Sequence, residues 1–181
     1  MNNPFLVADH VYLRPLEISD AATIAPWFND SDVTRYLLRH QPMSVHSEED
    51  FLRRMPANEE DVVLGIVLRG TDQLIGTAGL HPGFRCRSAR FGIVIGIKEH
   101  WGKGIGTTVT RMMLGHAFDT LNMNRVWLHV YEYNPRGVHV YEKIGFQTEG
   151  RLRQETYRDG RYWDVIVMGL LRKEWEANQR Q

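Results

Sequence analysis

Three alternating glycines between an apolar strand pattern and a helical pattern are the feature that most constrains this chain. Gly102, Gly104 and Gly106 follow the β-branched run 90–97 and lie at the start of an amphipathic stripe that begins at Ile105. Glycine permits positive φ and lets the backbone approach a ligand closely. Successive N–H groups at a helix start form an anion cradle, so we expect a phosphate or pyrophosphate there. A plain strand-to-helix turn is the alternative.

The glycine loop differs from two common phosphate-binding fingerprints. No Gly-Lys-Ser/Thr follows at the Walker spacing. The dinucleotide fingerprint requires Gly-x-Gly-x-x-Gly after the first strand and an acidic residue about 20 positions later. The loop is therefore neither a P-loop nor a Rossmann turn.

Length, charge and cysteine content exclude several protein classes. A chain of 181 residues fits one domain, which we place over residues 1–181. The 22 basic residues equal the 22 acidic ones, which argues against a general nucleic-acid binder. Cys86 is the only cysteine, and no two histidines are spaced i, i+3 or i, i+4, so we expect no metal site. The apolar runs are too short for a membrane helix or a signal peptide, and a soluble cytoplasmic protein is expected.

Apolar periodicity predicts a mixed sheet with helices on its faces, in the order β, αα, ββ, β, α, β, α, ββ. Ser19 and the segment 47–50 are expected to cap the first and third helices, and Pro26 to kink or end the first. Gly145 is expected to end the last predicted helix. Strands are predicted over 11–16, 62–68, 74–80, 90–97, 125–133, 146–157 and 162–170, with the second helix over 31–38 and a long one over 105–121.

A second segment, Asn134-Pro135-Arg136-Gly137-Val138-His139-Val140-Tyr141-Glu142-Lys143-Ile144-Gly145-Phe146, follows the strand after that long helix. With the glycine loop it resembles the GNAT N-acetyltransferase superfamily, whose loop reads Arg/Gln-x-x-Gly-x-Gly/Ala and whose later block reads Asn-x-x-Ala-x-x-x-Tyr-x-Lys-x-Gly-Phe. The resemblance spans roughly Val11 to Leu171. Leu13-Arg14-Pro15-Leu16 and Asp159-Gly160-Arg161-Tyr162-Trp163-Asp164 resemble the branch acting on ribosomal-protein N-terminal alanines, spermidine and similar amines.

The resemblance implies an α+β fold with a mostly antiparallel, twisted sheet of about seven strands, splayed between its two central strands and flanked by helices. It also implies direct transfer of an acetyl group from acetyl-CoA to a primary amine in a ternary complex, without a metal. The expected partners are acetyl-CoA and an amine acceptor, with no nucleic acid and no membrane. A homodimer is left open.

The resemblance also assigns the cofactor contacts. The strand Ile95-Gly96-Ile97 would pair with the pantetheine arm, and an N–H near Ile95 or Ile97 would stabilise the developing oxyanion. Lys103 would add charge near a phosphate or lie in solvent, and Asn134 would touch the cofactor or only cap the next helix. The backbone N–H groups facing the pyrophosphate would be those of Gly102, Lys103, Gly104, Ile105, Gly106 and Thr107.

Tyr141 matches the family tyrosine that protonates the leaving thiolate. A phenol with a pKa of about 10 stays protonated at neutral pH, which suits a general acid. A packing role alone is the alternative.

The general base has no clear family match. Relatives carry Ala-Glu where this chain has Ala89-Arg90, and a guanidinium cannot accept a proton. His81, Glu132 and His129 are the base candidates, each with an ordinary surface or sheet role as its alternative.

Arg90 also bears on the acceptor, which the sequence leaves open among a small amine, an amino acid, an amino sugar and a protein N-terminus. Facing the acceptor, Arg90 would disfavour polyamines and favour an amine that carries a carboxylate. Pairing with a surface carboxylate is the alternative. A non-catalytic acyl-CoA-binding module and a transferase using another acyl-CoA donor are the alternative functions.

Overall fold

A computed structural model describes residues 1–37, 41–55 and 60–179. Within these ranges the helices are α1 (Ala21–Ile24), α2 (Ser31–Thr34), α3 (Val45–Arg54), α4 (Ile105–Gly115), α5 (Pro135–Ile144) and α6 (Arg172–Gln179). The strands are β1 (Leu6–Val7), β2 (Val11–Pro15), β3 (Val62–Leu68), β4 (Leu74–Gly83), β5 (Ser88–Ile95), β6 (Arg125–Tyr131), β7 (Gln147–Arg158) and β8 (Arg161–Leu171). The predicted mixed α+β class is confirmed.

The strands form one eight-stranded sheet in the order β1-β2-β3-β4-β5-β6-β8-β7. β5 and β6 are parallel, and their register covers Ser88–Arg90 opposite Arg125–Trp127, the first three residues of each strand. The pairs β1–β2, β2–β3, β3–β4, β6–β8 and β7–β8 are antiparallel. The GNAT resemblance implied a mostly antiparallel sheet, which is confirmed, although the sheet has eight strands and not about seven.

The chain separates into two compact units, one of Met1–His81 with Gly92–Met113 and one of Pro82–Phe91 with Leu114–Gln181. The single domain over residues 1–181 stays a prediction. No helix in the described part of the chain is long and apolar enough to cross a membrane.

The first unit is held by an apolar cluster and by one mostly buried ion pair. Tyr12, Ile24 and Trp27 belong to the cluster and are at most 6% exposed. Next to Tyr12 on β2, the Arg14 guanidinium binds the Asp20 carboxylate through two hydrogen bonds of 2.7 and 2.8 Å. Burial alone would raise the pKa of Asp20, but hydrogen bonds from Arg14 and from the Glu17 N–H outweigh it, and the net shift is downward.

The second unit follows from strand alternation and a tight turn. Val126, Leu128 and Val130 are buried on one face of β6, whereas the residues between them lie on the other. The predicted turn between β7 and β8 places Asp159 at φ +53° and Gly160 at φ +81°, as a two-residue hairpin with matching twist requires.

Several local predictions need correction. Glu17, not Ser19, caps the first turn, which is a short 3₁₀ segment. Ser44, not the segment 47–50, caps α3, and its hydroxyl accepts a hydrogen bond from the Ser47 N–H at 3.0 Å. α2 ends at Thr34, well before the predicted end at 38, which lies outside the described residues.

Two other features complete this picture. Pro26 ends α1 as expected, because the next residues form a 3₁₀ segment. The sequence patterns missed β1 and α6.

Candidate active site

The glycine loop belongs to the first unit and has the geometry of an anion cradle. Gly102 and Gly104 have φ of +79° and +80°, the left-handed region that glycine enters without a steric penalty. A Cβ built on Gly104 or Gly106 meets no atom within 4 Å, so the space beside the backbone is open. The first hydrogen bond of α4 runs from Thr108 N to the Gly104 oxygen at 3.0 Å, and the N–H groups of 105–107 precede it. These backbone donors suit a phosphate.

Trp101 fixes the loop from behind. Its indole N–H donates to the Ile95 oxygen at 2.8 Å, and its ring packs on the apolar cluster around Trp27. It occupies the first position of the family loop pattern, where Arg or Gln is usual. The indole donor is therefore used within the protein and orders the loop.

Lys98 ties the same loop to α2. Its ammonium lies 2.8 Å from Asp30 and 2.9 Å from Asp32. Hydrogen bonds to these carboxylates raise the pKa of Lys98 and keep it charged. The ion pairs of Lys98 with Asp30 and Asp32, here called the Lys98 clamp, engage this ammonium within the protein. Lys103, five residues later, is the other lysine of the loop.

Gly96 and Ile97, predicted to line the pantetheine arm, are already engaged within the unit. Their N–H groups donate to the Ile75 oxygen at 2.8 and 3.3 Å. A side chain at Gly96 would overlap the Trp27 ring, so glycine is required there for packing. The predicted cofactor role of Ile95, Gly96 and Ile97 is untested.

Tyr141 lies on α5, in the second unit, and the helix is capped at both ends. Pro135 occupies its first position, and Gly145, at φ +116°, ends it as predicted. The half-buried Tyr141 ring contacts Phe146 edge-to-face at 5.7 Å between centroids. Burial raises the pKa of Tyr141 to about 12. The phenol is therefore protonated at any physiological pH, as a proton donor must be.

Asn134 caps α5. Its Oδ1 accepts a hydrogen bond from the Gly137 N–H at 2.9 Å. Gly137 stands where the family block has alanine, and a Cβ there would lie 2.6 Å from the Asn134 Nδ2. The side chain of Asn134 thus folds closely over the helix start, which supports the capping alternative; contact with a cofactor is left to the Nδ2 group.

Glu132, a predicted base candidate, lies in an ion-pair network at the end of β6. One oxygen accepts from Arg151 at 2.9 Å and the other from the Asp164 N–H at 3.4 Å. Arg151 also binds Asp164 at 3.0 Å, and the Asp164 carboxylate accepts from the Gln154 N–H. Both Glu132 oxygens therefore serve to join β6 to the β7–β8 hairpin, which favours a structural role.

His81, at the end of the first unit, has a partner that the sequence did not reveal. Its Nδ1 lies 2.9 Å from a carboxylate oxygen of Asp61, the residue just before β3. A hydrogen bond from Nδ1 to this carboxylate would leave Nε2 as the acceptor. Only the register of β3 against β4 brings these residues together, so no local motif could have signalled the pair.

His129 lies on the outer face of β6, with its ring edge-to-face against Trp127 at 5.1 Å. Burial lowers the pKa of His129, the charge of Arg90 lowers it further, and Glu155 opposes both. In the described part of the chain, neither the His129 nor the Arg90 side chain makes a hydrogen bond or an ion pair. The imidazole is therefore neutral and free to accept a proton at physiological pH.

Arg90 is exposed and pairs in register with Trp127. The alternative expectation, an ion pair with a surface carboxylate, is not met among the described residues. No group of three or more His, Cys, Asp or Glu side chains in these ranges is arranged to hold a metal ion.

Comparison with known proteins identifies the family. The model of the acetyltransferase (GNAT) domain matches residues 10–147. The uncharacterized N-acetyltransferase YoaA of Bacillus subtilis is 31% identical over 173 residues, which cover 93% of this chain and 97% of that protein. The spermidine N(1)-acetyltransferase of Vibrio cholerae is 33% identical over 164 residues, 90% of this chain and 94% of that protein.

A solved structure agrees with these sequence relatives. The crystal structure of spermidine N-acetyltransferase from Vibrio cholerae in complex with CoA and spermine has a TM-score of 0.85 at 31% identity, covering 92% of this chain and 98% of that one. The predictions of family, fold and enzyme class are confirmed. The chain therefore belongs to the GNAT family of acetyltransferases and is an acetyl-CoA-dependent N-acetyltransferase.

Proposed function

We propose that the chain acetylates a primary amine by direct transfer in a ternary complex, with the glycine loop holding the CoA pyrophosphate. The open cradle at Gly104 and Gly106 is the observation that carries this proposal. Backbone N–H groups of Gly102–Thr107 bind the anion, with Lys103 adding charge. No covalent intermediate with the enzyme is formed; the cytoplasmic localisation stays a prediction, and a homodimer stays open.

Tyr141 supplies the proton that the leaving thiolate needs. When the amine nitrogen attacks the thioester carbonyl, the C–S bond breaks and CoA leaves as a thiolate. The Tyr141 phenol then transfers its proton to sulfur, and the second proton lost by the amine nitrogen as the amide forms restores the phenol. Because burial disfavours the phenolate, the tyrosine is ready as a donor at every working pH.

His129 is the general base that the environment supports best. It is an imidazole on the outer face of β6 without a hydrogen-bond partner among the described residues. Burial and then the nearby charge of Arg90 disfavour its protonated form. A neutral imidazole can take the ammonium proton of the acceptor and release it to solvent.

The pair His81–Asp61 is the second base candidate. A carboxylate that holds one ring nitrogen orients the imidazole and fixes its tautomer. Glu132 is the weakest of the three, since proton transfer to it would break the Arg151 network.

Release of free thiol from acetyl-CoA, measured across a panel of primary amines, tests the proposal. We expect turnover in the wild type, a loss of about 10²-fold or more in kcat for His129→Gln, and a small effect for His81→Gln. The reverse pattern would move the base to His81. Wild-type protein that binds CoA but releases no thiol with any amine would refute the proposed function.

A further inference from the structure

Arg90 differs from several arginines around it because it has no internal counter-charge. Arg125 binds Glu149, and Arg151 binds both Glu132 and Asp164. Arg90 is exposed on β5, and no carboxylate of a described residue lies within ion-pair distance. Its charge is therefore available to an anion from outside the protein.

Three strands contribute side chains whose charges affect the His129 imidazole or belong to it. Arg90 is on β5, His129 on β6 and Glu155 on β7, and the imidazole is affected by both charged groups in opposite directions. Trp127, in register with Arg90, contacts the His129 ring. The Arg90 guanidinium and the His129 imidazole thus lie beside the Trp127 ring, and the Glu155 carboxylate affects the same imidazole.

Glu155 also lines a cavity of about 700 Å³. The bulge between Leu152 and Thr156 on β7 shapes this cavity. Arg153 contributes a second cation, whereas Arg151 and Asp164 neutralise each other there. Among the described residues, the charged side chains without an ion pair in this region, Arg90, Arg153 and Glu155, are therefore of both signs.

A zwitterion matches this arrangement better than a polycation does. A guanidinium binds a carboxylate through two parallel hydrogen bonds. Glu155 attracts an ammonium group, and the neighbouring imidazole can remove its proton. A polyamine brings several positive charges and no anion, so Arg90 repels it.

We propose that Arg90 is an acceptor-specificity residue that binds a carboxylate beside the reacting amine, so that the preferred acceptor is an amino acid. This inference rests on the proposed function. The ammonium loses one proton to His129, the amine nitrogen forms the amide bond, and the C–S bond of acetyl-CoA breaks. The products are an N-acetyl amino acid and CoA, with one proton released.

Matched acceptors isolate the contribution of the carboxylate to kcat/KM from that of the rest of the acceptor. Each amino acid is compared with its carboxamide and with spermidine, using kcat/KM for thiol release. In the wild type, the best amino acid should exceed its amide at least tenfold. A charge-assisted pair of this kind corresponds to about a tenfold to hundredfold preference.

Three variants assign that preference to one side chain. Arg90→Gln should reduce the acid-to-amide ratio about tenfold or more, and Arg90→Lys should retain part of it because the charge remains but the bidentate geometry is lost. Arg85 is an exposed residue in the turn between β4 and β5. Arg85→Gln removes the same charge there and should leave the acid-to-amide ratio unchanged. The KM for acetyl-CoA should be the same in all four proteins, which shows that folding and donor binding are intact.

The outcomes are separable. If thiol is released but spermidine or the amides are the better acceptors, Arg90 does not read a carboxylate and the inference is wrong. The same follows if Arg90→Gln and Arg85→Gln change the ratio equally, or if only peptides with a free N-terminus react. Absence of thiol release with every acceptor would instead refute the proposed function, and this inference with it.

Discussion

Substitution Gly104→Val tests the cradle because the structure separates its effect on folding from its effect on ligand binding. Gly104 has φ +80°, and a Cβ there meets no atom within 4 Å. The substitution should therefore lower the free energy of unfolding only through backbone strain, which is about 1–2 kcal/mol for a residue with a side chain in the left-handed region. For a chain of this length each kcal/mol lowers Tm by roughly 2–4 °C, so Tm should fall by about 2–8 °C.

The effect on CoA should be much larger. Valine shifts the loop from the conformation that aligns its N–H groups and blocks close approach of the pyrophosphate. Each lost charge-assisted hydrogen bond removes about 1.5–3 kcal/mol, so losing two weakens CoA binding by roughly 10²- to 10⁴-fold. Calorimetric titration of CoA into the folded variant measures this.

Gly106→Ala is the matched control. Its Cβ also enters open space, but residue 106 lies within α4, and the family loop pattern accepts alanine there. Alanine favours the helix by about 1 kcal/mol, so Tm should rise while CoA affinity stays within about threefold. A folded Gly104→Val protein with wild-type CoA affinity would show that the pyrophosphate binds elsewhere.

Three further predictions concern the proton donor, the base and the fold. Tyr141→Phe should leave the Kd for acetyl-CoA nearly unchanged and lower kcat by about 10²-fold or more; an equal loss of binding and turnover would instead indicate packing. Arg90→Gln should move the acid limb of the kcat–pH profile upward, since the positive charge that lowers the pKa of His129 is gone and Glu155 still raises it; an unmoved limb would exclude His129 as the base. Asp20→Asn should lower the free energy of unfolding at pH 7 by about 3 kcal/mol, because Arg14 loses its mostly buried counter-charge. Since the folded-state pKa of Asp20 is lowered, this difference should shrink in urea unfolding as pH falls through about 4 and below.

Local chemistry made part of this fold predictable. β3 spans Val62–Leu68 as its apolar run predicted, and α4 begins at Ile105 directly after the last positive-φ glycine. The ends of α5 and the Asp159-Gly160 turn also followed from residue types whose backbone preferences are strong. In each case the cause lies within a few residues of its effect.

Features set by strand register were not predictable. The distance in sequence between Lys98 and Asp32 is 66 residues, and only the folded first unit brings them together. The pairs His81–Asp61 and Glu132–Arg151 depend likewise on which strands are neighbours. A list of base candidates drawn from sequence therefore could not rank them, because the ranking depends on which candidates already have partners.

Helix α3 begins earlier than its sequence motif predicted. The segment 47–50 has a capping-box pattern, yet Ser44 is the residue whose hydroxyl caps the helix. Starting one turn earlier places Glu48 and Leu52 on the same buried face, four residues apart. The later start was predicted only because the segment 47–50 itself fits the capping-box pattern.

The loop around Trp101 indicates why the proposed phosphate binding would depend on backbone groups. An arginine or glutamine at position 101 would offer polar side-chain atoms beside the cradle, whereas tryptophan has a single N–H donor, which the Ile95 oxygen already accepts. The indole, the Lys98 clamp and the packing of Trp27 on Gly96 instead hold the loop in one conformation before any ligand arrives. Because the loop loses its conformational entropy during folding, less binding free energy would be lost in ordering it when CoA binds. In the proposed site, an ordered backbone would thus replace the side-chain contact of an arginine or glutamine.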